Sequence, residues 1–359
     1  MVGQRWNLVK WPVNNLASTR RRGRSNHGAA GCRPGANVNV SSKIISLKAM
    51  KSKERKIGKN EEAMTDHESM ERVKTTILTL QKHKRTKQKT VLTTAYNDWQ
   101  AHIADEAGID VIVVGDSIAM TEFGYATTIP MTMEVMLPHC TAVWRGSEYA
   151  MLIGDMPFGS YQESNEQAVR NANQFIQRGM DAVKVEGAMI DRIKAICQTG
   201  VLVMSHLGLT PQTRAKLGGY RVQGKTLKDV EVIVNQAKAL QDAGCSFLLL
   251  EAMPRESAGI VAAELEIPIY GIGAGDLVDG QLVIFHDLVG LFRKFKSKFV
   301  KRYAECGNII HDALVEYARE VREKKFPAPE NFYELKEEEL EKLLADDRWK
   351  YLVEREKMP

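Results

Sequence analysis

A chain of 359 residues, 44% hydrophobic and 26% charged, has the make-up of a globular protein with room for one large barrel or two ordinary domains. No apolar stretch approaches the ~20 residues a membrane-spanning helix needs. Five scattered cysteines (Cys32, Cys140, Cys197, Cys245, Cys306) without a C-x-x-C pair speak against a zinc ribbon or disulfide framework and for a reducing compartment. The formal charge of +5 arises from the first 50 residues, which hold nine Lys/Arg and no acid. The remainder has 41 basic against 45 acidic residues, a net −4 that gives nucleic-acid binding little electrostatic support.

Residues 1–65 read as a basic tail rich in Arg, Ser, Asn and Gly. Three readings stay open for it: an organellar transit peptide, translated sequence upstream of a later start at Met50, Met64 or Met70, or a tail without function. The expected location is cytoplasmic, or mitochondrial if residues 1–50 are a transit peptide. A helix is predicted from near Met70, with Val73, Ile77 and Leu80 on one face.

After it, strand-like and helix-like segments alternate. Strand ends are predicted at Thr94, Asp116, Asp155, Glu186, His206, Glu251 and Gly271, with a fainter eighth strand within 281–291. The apolar runs 111–115, 151–154, 182–185 (interrupted by Lys184) and 247–250 suit strands buried on both faces of a parallel sheet. Ser164-Asn-Glu-Gln167 reads as a capping box opening a helix that stops at Gly179. Val230, Ile233, Ala237 and Leu240 form a stripe on a second helix ending at Gly244. Seven clear βα units and one faint one predict a (β/α)8 barrel over residues 66–327, with an N-terminal helix and a C-terminal helical extension. Residues 328–359 read as a charged helical or disordered tail.

The acids carry the chemistry. Asp116, Asp155, Glu186 and Glu251 each sit just past an apolar run, at the carboxyl edge of the sheet, where active sites of such folds lie. Acids converging there repel one another unless a cation or a shared proton intervenes. Asp116, Asp155 and Glu186 suit a hard divalent cation such as Mg²⁺, with no nearby His or Cys arguing for zinc. A single such acid is more often a helix N-cap; three on successive strand ends shift the odds. Lys184 lies two residues before Glu186, on the same strand face, and reads as a clamp for a substrate carboxylate or enolate or as a salt-bridge partner. Glu251, leaving a run of leucines, suits a carboxylate base for C–H abstraction. His206 stands out by its rim position alone. The loop Gly208–Lys225 is a candidate lid, and Gly271-Ile-Gly-Ala-Gly275 a phosphate or backbone-approach loop. Phe292–Tyr303 interleaves aromatics with Lys and Arg, and reads as a solvated face packed on its aromatic side rather than an RNA-binding one.

Several ordered motifs together resemble the ketopantoate hydroxymethyltransferase family: Val-Gly-Asp116-Ser117, Lys184-Val-Glu186-Gly187, His206-Leu-Gly-Leu-Thr-Pro-Gln212, Gly218-Gly-Tyr-Arg-Val-Gln-Gly224, Ile272-Gly-Ala-Gly275 and Asp279-Gly-Gln281. The likeness runs from the first helix to near Pro327. It implies transfer of a hydroxymethyl group from 5,10-methylenetetrahydrofolate to 3-methyl-2-oxobutanoate through a Mg²⁺-stabilised enolate. It further implies Asp116, Asp155 and Glu186 as metal ligands and Glu251 as the base. The 2-oxo acid is expected to meet Ser117 and Lys184, with Asp116, Asp155 and His206 beside it. Small 2-oxo acid and folate substrates, no nucleic acid or membrane partner, and a homo-oligomer, in its most specific form a decamer of two pentameric rings, complete the expectation. Asn97 departs from the pattern, standing where the family is expected to carry Asp. Two rivals remain: a C–C lyase or mutase of a related barrel superfamily, whose Lys-Lys-Cys-Gly-His stretch is absent here, and a non-catalytic scaffold.

Overall fold

The computed structural model describes residues 72–349; the basic tail 1–65 and the last ten residues lie outside them. Eight parallel strands close into a barrel in sequence order. They are β1 (Thr90–Thr94), β2 (Val111–Val114), β3 (Met151–Asp155), β4 (Ala182–Glu186), β5 (Leu202–Gly208), β6 (Phe247–Glu251), β7 (Ile269–Ile272) and β8 (Gly280–Val283). In chain order the helices are α1 (Ile77–Thr86), α2 (Asp98–Glu106), α3 (Ile118–Thr121), α4 (Met133–Gly146), α5 (Asn165–Gln177), α6 (Ile190–Cys197), α7 (Leu227–Asp242), α8 (Arg255–Glu264), α9 (Phe285–Leu288), α10 (Cys306–Arg322) and α11 (Glu337–Ala345). No helix among the described residues is long and apolar enough to cross a membrane.

The apolar runs behave as a two-sided strand should. Val111 and Val113 of β2 join a cluster inside the barrel with Met151, Ile153 and Leu249. Ile112 and Val114 point outward into the cluster beneath the helices, so the period of two is hidden by burial on both faces. Leu80 of α1, fully buried, belongs to the inner cluster. Truncating so buried a leucine to alanine costs about 2–5 kcal/mol.

Several elements differ from the sequence expectation in instructive ways. α1 starts at Ile77, not near Met70, because Thr76 caps it: its hydroxyl accepts from Thr79 N–H while the Thr79 hydroxyl accepts from Thr76 N–H. Val73 sits on the extended lead-in and is exposed, leaving the apolar face to Ile77 and Leu80. The Ser164 box is half formed: Ser164 accepts from Gln167 N–H, but the Gln167 amide oxygen takes Glu163 N–H instead of the cap's own. The eighth strand begins at Gly280, and most of the window expected for it is α9 and its turn. On α7 the stripe Val230, Ile233, Ala237 and Leu240 is buried as its spacing requires.

Candidate active site

Parallel register brings the charged residues together at the carboxyl ends of the strands. Asp155 on β3 pairs in register with Lys184 on β4, and Glu186 on β4 with His206 on β5. Gly208 stands opposite Glu251 across β5 and β6. Asp116 lies two residues past β2, and its N–H donates to Asp155 Oδ2 at 3.2 Å. Ser117 starts the short α3, with its hydroxyl 2.7 Å from the Tyr96 phenol. Gly115 is needed here because a Cβ on it would lie 2.7 Å from the Ser117 hydroxyl oxygen.

Of the candidate site residues, Asp116, Asp155, Lys184, Glu186 and His206 are buried, while Ser117 and Glu251 are partly open. Lys184 Nζ donates to both oxygens of Asp155, at 2.8 and 2.7 Å. Burial works against this ammonium, yet the carboxylates of Asp155, Asp116 and Glu186 hold it above its ordinary pKa. Asp155 is pushed up to about 7: burial disfavours its charge, Lys184 pulls the other way, and Asp116 adds repulsion. His206 lies with Nε2 3.2 Å from Glu251 Oε2 and Nδ1 3.6 Å from Glu186 Oε2, ion-pair contacts that lack hydrogen-bond alignment. Burial opposes its charge, but the two carboxylates outweigh it and raise the imidazole to about 9.

A second set of side chains, not singled out from the sequence, ties this row together. Gln212, in the turn after β5, donates its amide N–H to Asp116 Oδ2 (3.0 Å) and its backbone N–H to Glu186 Oε1 (2.7 Å). Tyr161 donates its hydroxyl to Gln212 Oε1 (2.6 Å), and Glu186 N–H donates to that same hydroxyl (3.2 Å). Thr-Pro-Gln212 stood within a motif of the sequence, but its role as a bridge depends on partners 96 and 26 residues away.

As arranged, no three or more His, Cys, Asp or Glu side chains among the described residues converge as a metal cage. The reason is visible in the contacts: Lys184 claims both Asp155 oxygens, and Gln212 spans Asp116 and Glu186. The donors still fit Mg²⁺. They are hard carboxylate oxygens, the adjoining pair Asp116 and Asp155 is repulsive while buried, and Mg²⁺ commonly takes one or two carboxylates and keeps its waters.

The row opens into a cavity of about 630 Å³. Tyr220, Arg221 and Val222 of the loop after β5 line it, as do Phe292, Phe295 and Phe299. The loop is held to β6 by Gln223 N–H, which donates to Ala252 O. The aromatic side of 292–299 thus faces the cavity mouth, where the sequence suggested an ordinary packed surface. The glycines 271–275 are a backbone-approach loop: Gly273 adopts φ +66°, and a Cβ there would lie 2.6 Å from the Phe299 ring.

The comparisons with known proteins decide the family. The ketopantoate hydroxymethyltransferase family model matches residues 74–329. A 3-methyl-2-oxobutanoate hydroxymethyltransferase of Dehalococcoides mccartyi is 46% identical over 274 residues, covering 76% of this chain and 98% of that one. The chain belongs to the ketopantoate hydroxymethyltransferase family. Enzymes of the same name from Alkaliphilus metalliredigens (44%, covering 76% and 98%) and Ignicoccus hospitalis (44%, covering 72% and 99%) are similar to it over nearly their whole lengths. A solved phosphonopyruvate hydrolase covers 79% of this chain and 99% of its own at 13% identity and a TM-score of 0.48, too low to bear on function. The chain is therefore an enzyme, a transferase of a family named for a step of pantothenate synthesis. Asn97, its one departure noted in the sequence, caps α2 by accepting from Gln100 N–H at 3.0 Å, a role Asn and Asp fill equally.

Proposed function

We propose that this chain transfers a hydroxymethyl group from 5,10-methylenetetrahydrofolate to 3-methyl-2-oxobutanoate, giving 2-dehydropantoate, with Mg²⁺ as cofactor. The observation that carries this reading is the row Asp116, Asp155, Lys184, Glu186, His206 and Glu251 on five consecutive strand ends, opening into one cavity. Mg²⁺ would be held by Asp116 and Asp155, with Glu186 the third acid of the set, and supplies a Lewis acid for the keto group of the substrate.

The chain's own residues do the rest. Lys184, kept charged among three carboxylates, meets the negative charge of the oxo acid. The Ser117 hydroxyl, backed by the Tyr96 phenol, offers a second polar contact. Glu251 is the acid of the row whose side chain is partly open to the cavity, at 16% exposure, and it takes the proton from C3. His206 holds the Glu251 carboxylate in place from 3.2 Å. The electron pair left on C3 forms the new bond to the one-carbon unit, whose two C–N bonds to folate break; a water supplies the oxygen of the new hydroxyl, and its released proton and the one taken from C3 end on the two nitrogens of the departing tetrahydrofolate. The loop 209–225 covers the cavity while this happens.

We propose further that the enzyme works as a homo-oligomer, a decamer of two pentameric rings in its finest form. Supporting an assembly, α10 has no buried residue in the single chain and exposes Ile310, Leu314, Tyr317 and Val321. The function is tested by incubating the protein with Mg²⁺, 3-methyl-2-oxobutanoate and methylenetetrahydrofolate and following 2-dehydropantoate by NMR. Product that needs both metal and folate is the expected result; none from folded protein sinks the reading.

A further inference from the structure

The cavity is larger than a five-carbon acid fills. Its volume of about 630 Å³ lies within the range of roughly 300–1,000 Å³ that holds drug-sized ligands. The charged row occupies the floor, and a differently built wall rises above it. Phe292 and Phe295 meet edge to face, with ring centroids 5.1 Å apart. Phe299 rests on Gly273. Phe295 and Phe299 are nevertheless 53% and 41% exposed, which leaves aromatic area at the mouth uncovered. The segment is tethered: Lys294 Nζ donates to Gly124 O and an Arg302 N–H to Phe292 O, both at 2.9 Å.

Two kinds of charge frame those rings. Asp287, on α9 at the foot of the aromatic segment, lines the same cavity. Among the described residues no hydrogen bond ends on its carboxylate; burial pushes its pKa up, with only the charge of Arg302 opposing. Lys298 on the aromatic segment and Arg221 on the loop after β5 supply cations to the same cavity. An unclaimed carboxylate, flat apolar faces and outlying cations match three parts of one molecule. The aminopyrimidinone edge of a reduced pterin presents two adjacent N–H donors, which a carboxylate accepts as a pair. Its ring and aminobenzoyl group offer flat faces for aromatic contact. Its glutamate carries two carboxylates.

We propose that this wall is the seat of the folate co-substrate, with Asp287 accepting from the pterin edge, Phe295 and Phe299 facing its rings, and Lys298 with Arg221 receiving the glutamate. The proposal rests on the folate-dependent reading above and adds the residues that select the donor. It places one-carbon donor selection on loop residues after β5 and β8, apart from the strand-borne acids that handle the oxo acid.

The test is binding, without turnover. Affinities of the wild-type enzyme, Asp287→Asn, Phe295→Ala and Lys298→Ala for tetrahydrofolate and for tetrahydropteroate, which lacks the glutamate, are measured by calorimetry under anaerobic conditions with Mg²⁺. Binding of 3-methyl-2-oxobutanoate is measured in the same preparations and reports an intact floor. We expect Asp287→Asn and Phe295→Ala to weaken tetrahydrofolate about tenfold or more while the oxo acid binds as before. Lys298→Ala should erase most of the preference of wild type for tetrahydrofolate over tetrahydropteroate. If wild type binds tetrahydrofolate and all three variants bind it equally well, the wall is not its seat. If wild type binds the oxo acid but no folate, the folate reading itself fails, and this proposal with it.

Discussion

The two ends of the barrel use the same residue types for opposite purposes. At the carboxyl end, acids face one another and a lysine around a cavity. At the amino end, acids face backbone N–H groups, with a lysine added at Asp181 (Lys74, 3.0 Å) and at Asp279 (Lys84, 2.8 Å). Asp110, Asp181 and Asp279 each stand one residue before a strand, and each carboxylate accepts an N–H from the preceding strand: Val91, Leu152 and Ile269, all at 2.8 Å. Asp105 does more, accepting from the Ser147 hydroxyl and from the N–H groups of Glu148, Tyr149 and Ala150. A carboxylate whose lone pairs are filled by fixed donors has nothing left for a ligand and serves the fold. One set against another carboxylate keeps a reason to bind a cation or move a proton.

The comparison breaks first at Glu251. Replacing it with Gln should lower turnover by about 10²–10⁴-fold, the usual worth of a positioned base, in protein whose circular dichroism matches that of wild type. Lys184→Met comes next. It leaves Asp155 buried without its cation, and breaking such a pair costs about 3–5 kcal/mol; urea unfolding of the metal-free protein reads this directly. At the other end, Asp105→Asn should cost about 1–3 kcal/mol for each buried donor left unmatched, while enzyme that remains folded keeps its turnover. Smallest is Asp110→Asn, one strand-stitching bond worth about 0.5–1.5 kcal/mol net, seen as a shift in the same midpoint.

Acid sharpens the contrast. Burial raises the Asp105 carboxyl, but the N–H groups of Glu148, Ala150 and Tyr149 outweigh it and hold the pKa below its ordinary value. A depressed folded-state pKa gives stability that is present above the unfolded value of about 3.9 and is lost as pH falls through the folded one. Urea midpoints taken from pH 6 down to pH 3 should therefore show the advantage of wild type over Asp105→Asn shrinking at the acid end. A constant gap would contradict the clamp.

Much of the carboxyl end was legible in the sequence because each acid there interrupts an apolar run, and a parallel barrel sends every such interruption to one rim. The amino-end acids are as regular in position (Asp110 before Val111, Asp181 before Ala182, Asp279 before Gly280), but polar residues before a strand read as turn. Their partners lie on the preceding strand, which only the closed register reveals. Gln212 and Tyr161 escaped for the same reason: a bridge between Asp116 and Glu186 exists only once β2, β4 and the turn after β5 converge. The segment 292–299 misled differently. Alternating aromatic and basic residues fit a solvated face as well as a cavity wall, and the glycine that seats Phe299 is 26 residues earlier. α1 shows a local signal outweighing a periodic one, since the reciprocal Thr76–Thr79 cap fixes a start later than the spacing of Val73 predicts.

The central claim is that the carboxyl-end acids do the chemistry, with Glu251 as the base at C3. The rate of 2-dehydropantoate formation by Glu251→Gln, with Mg²⁺ and methylenetetrahydrofolate saturating and folding verified by an unchanged circular dichroism spectrum, tests it most directly. The account predicts a loss of at least a hundredfold with the oxo acid still bound. A variant that turns over near the wild-type rate would contradict it.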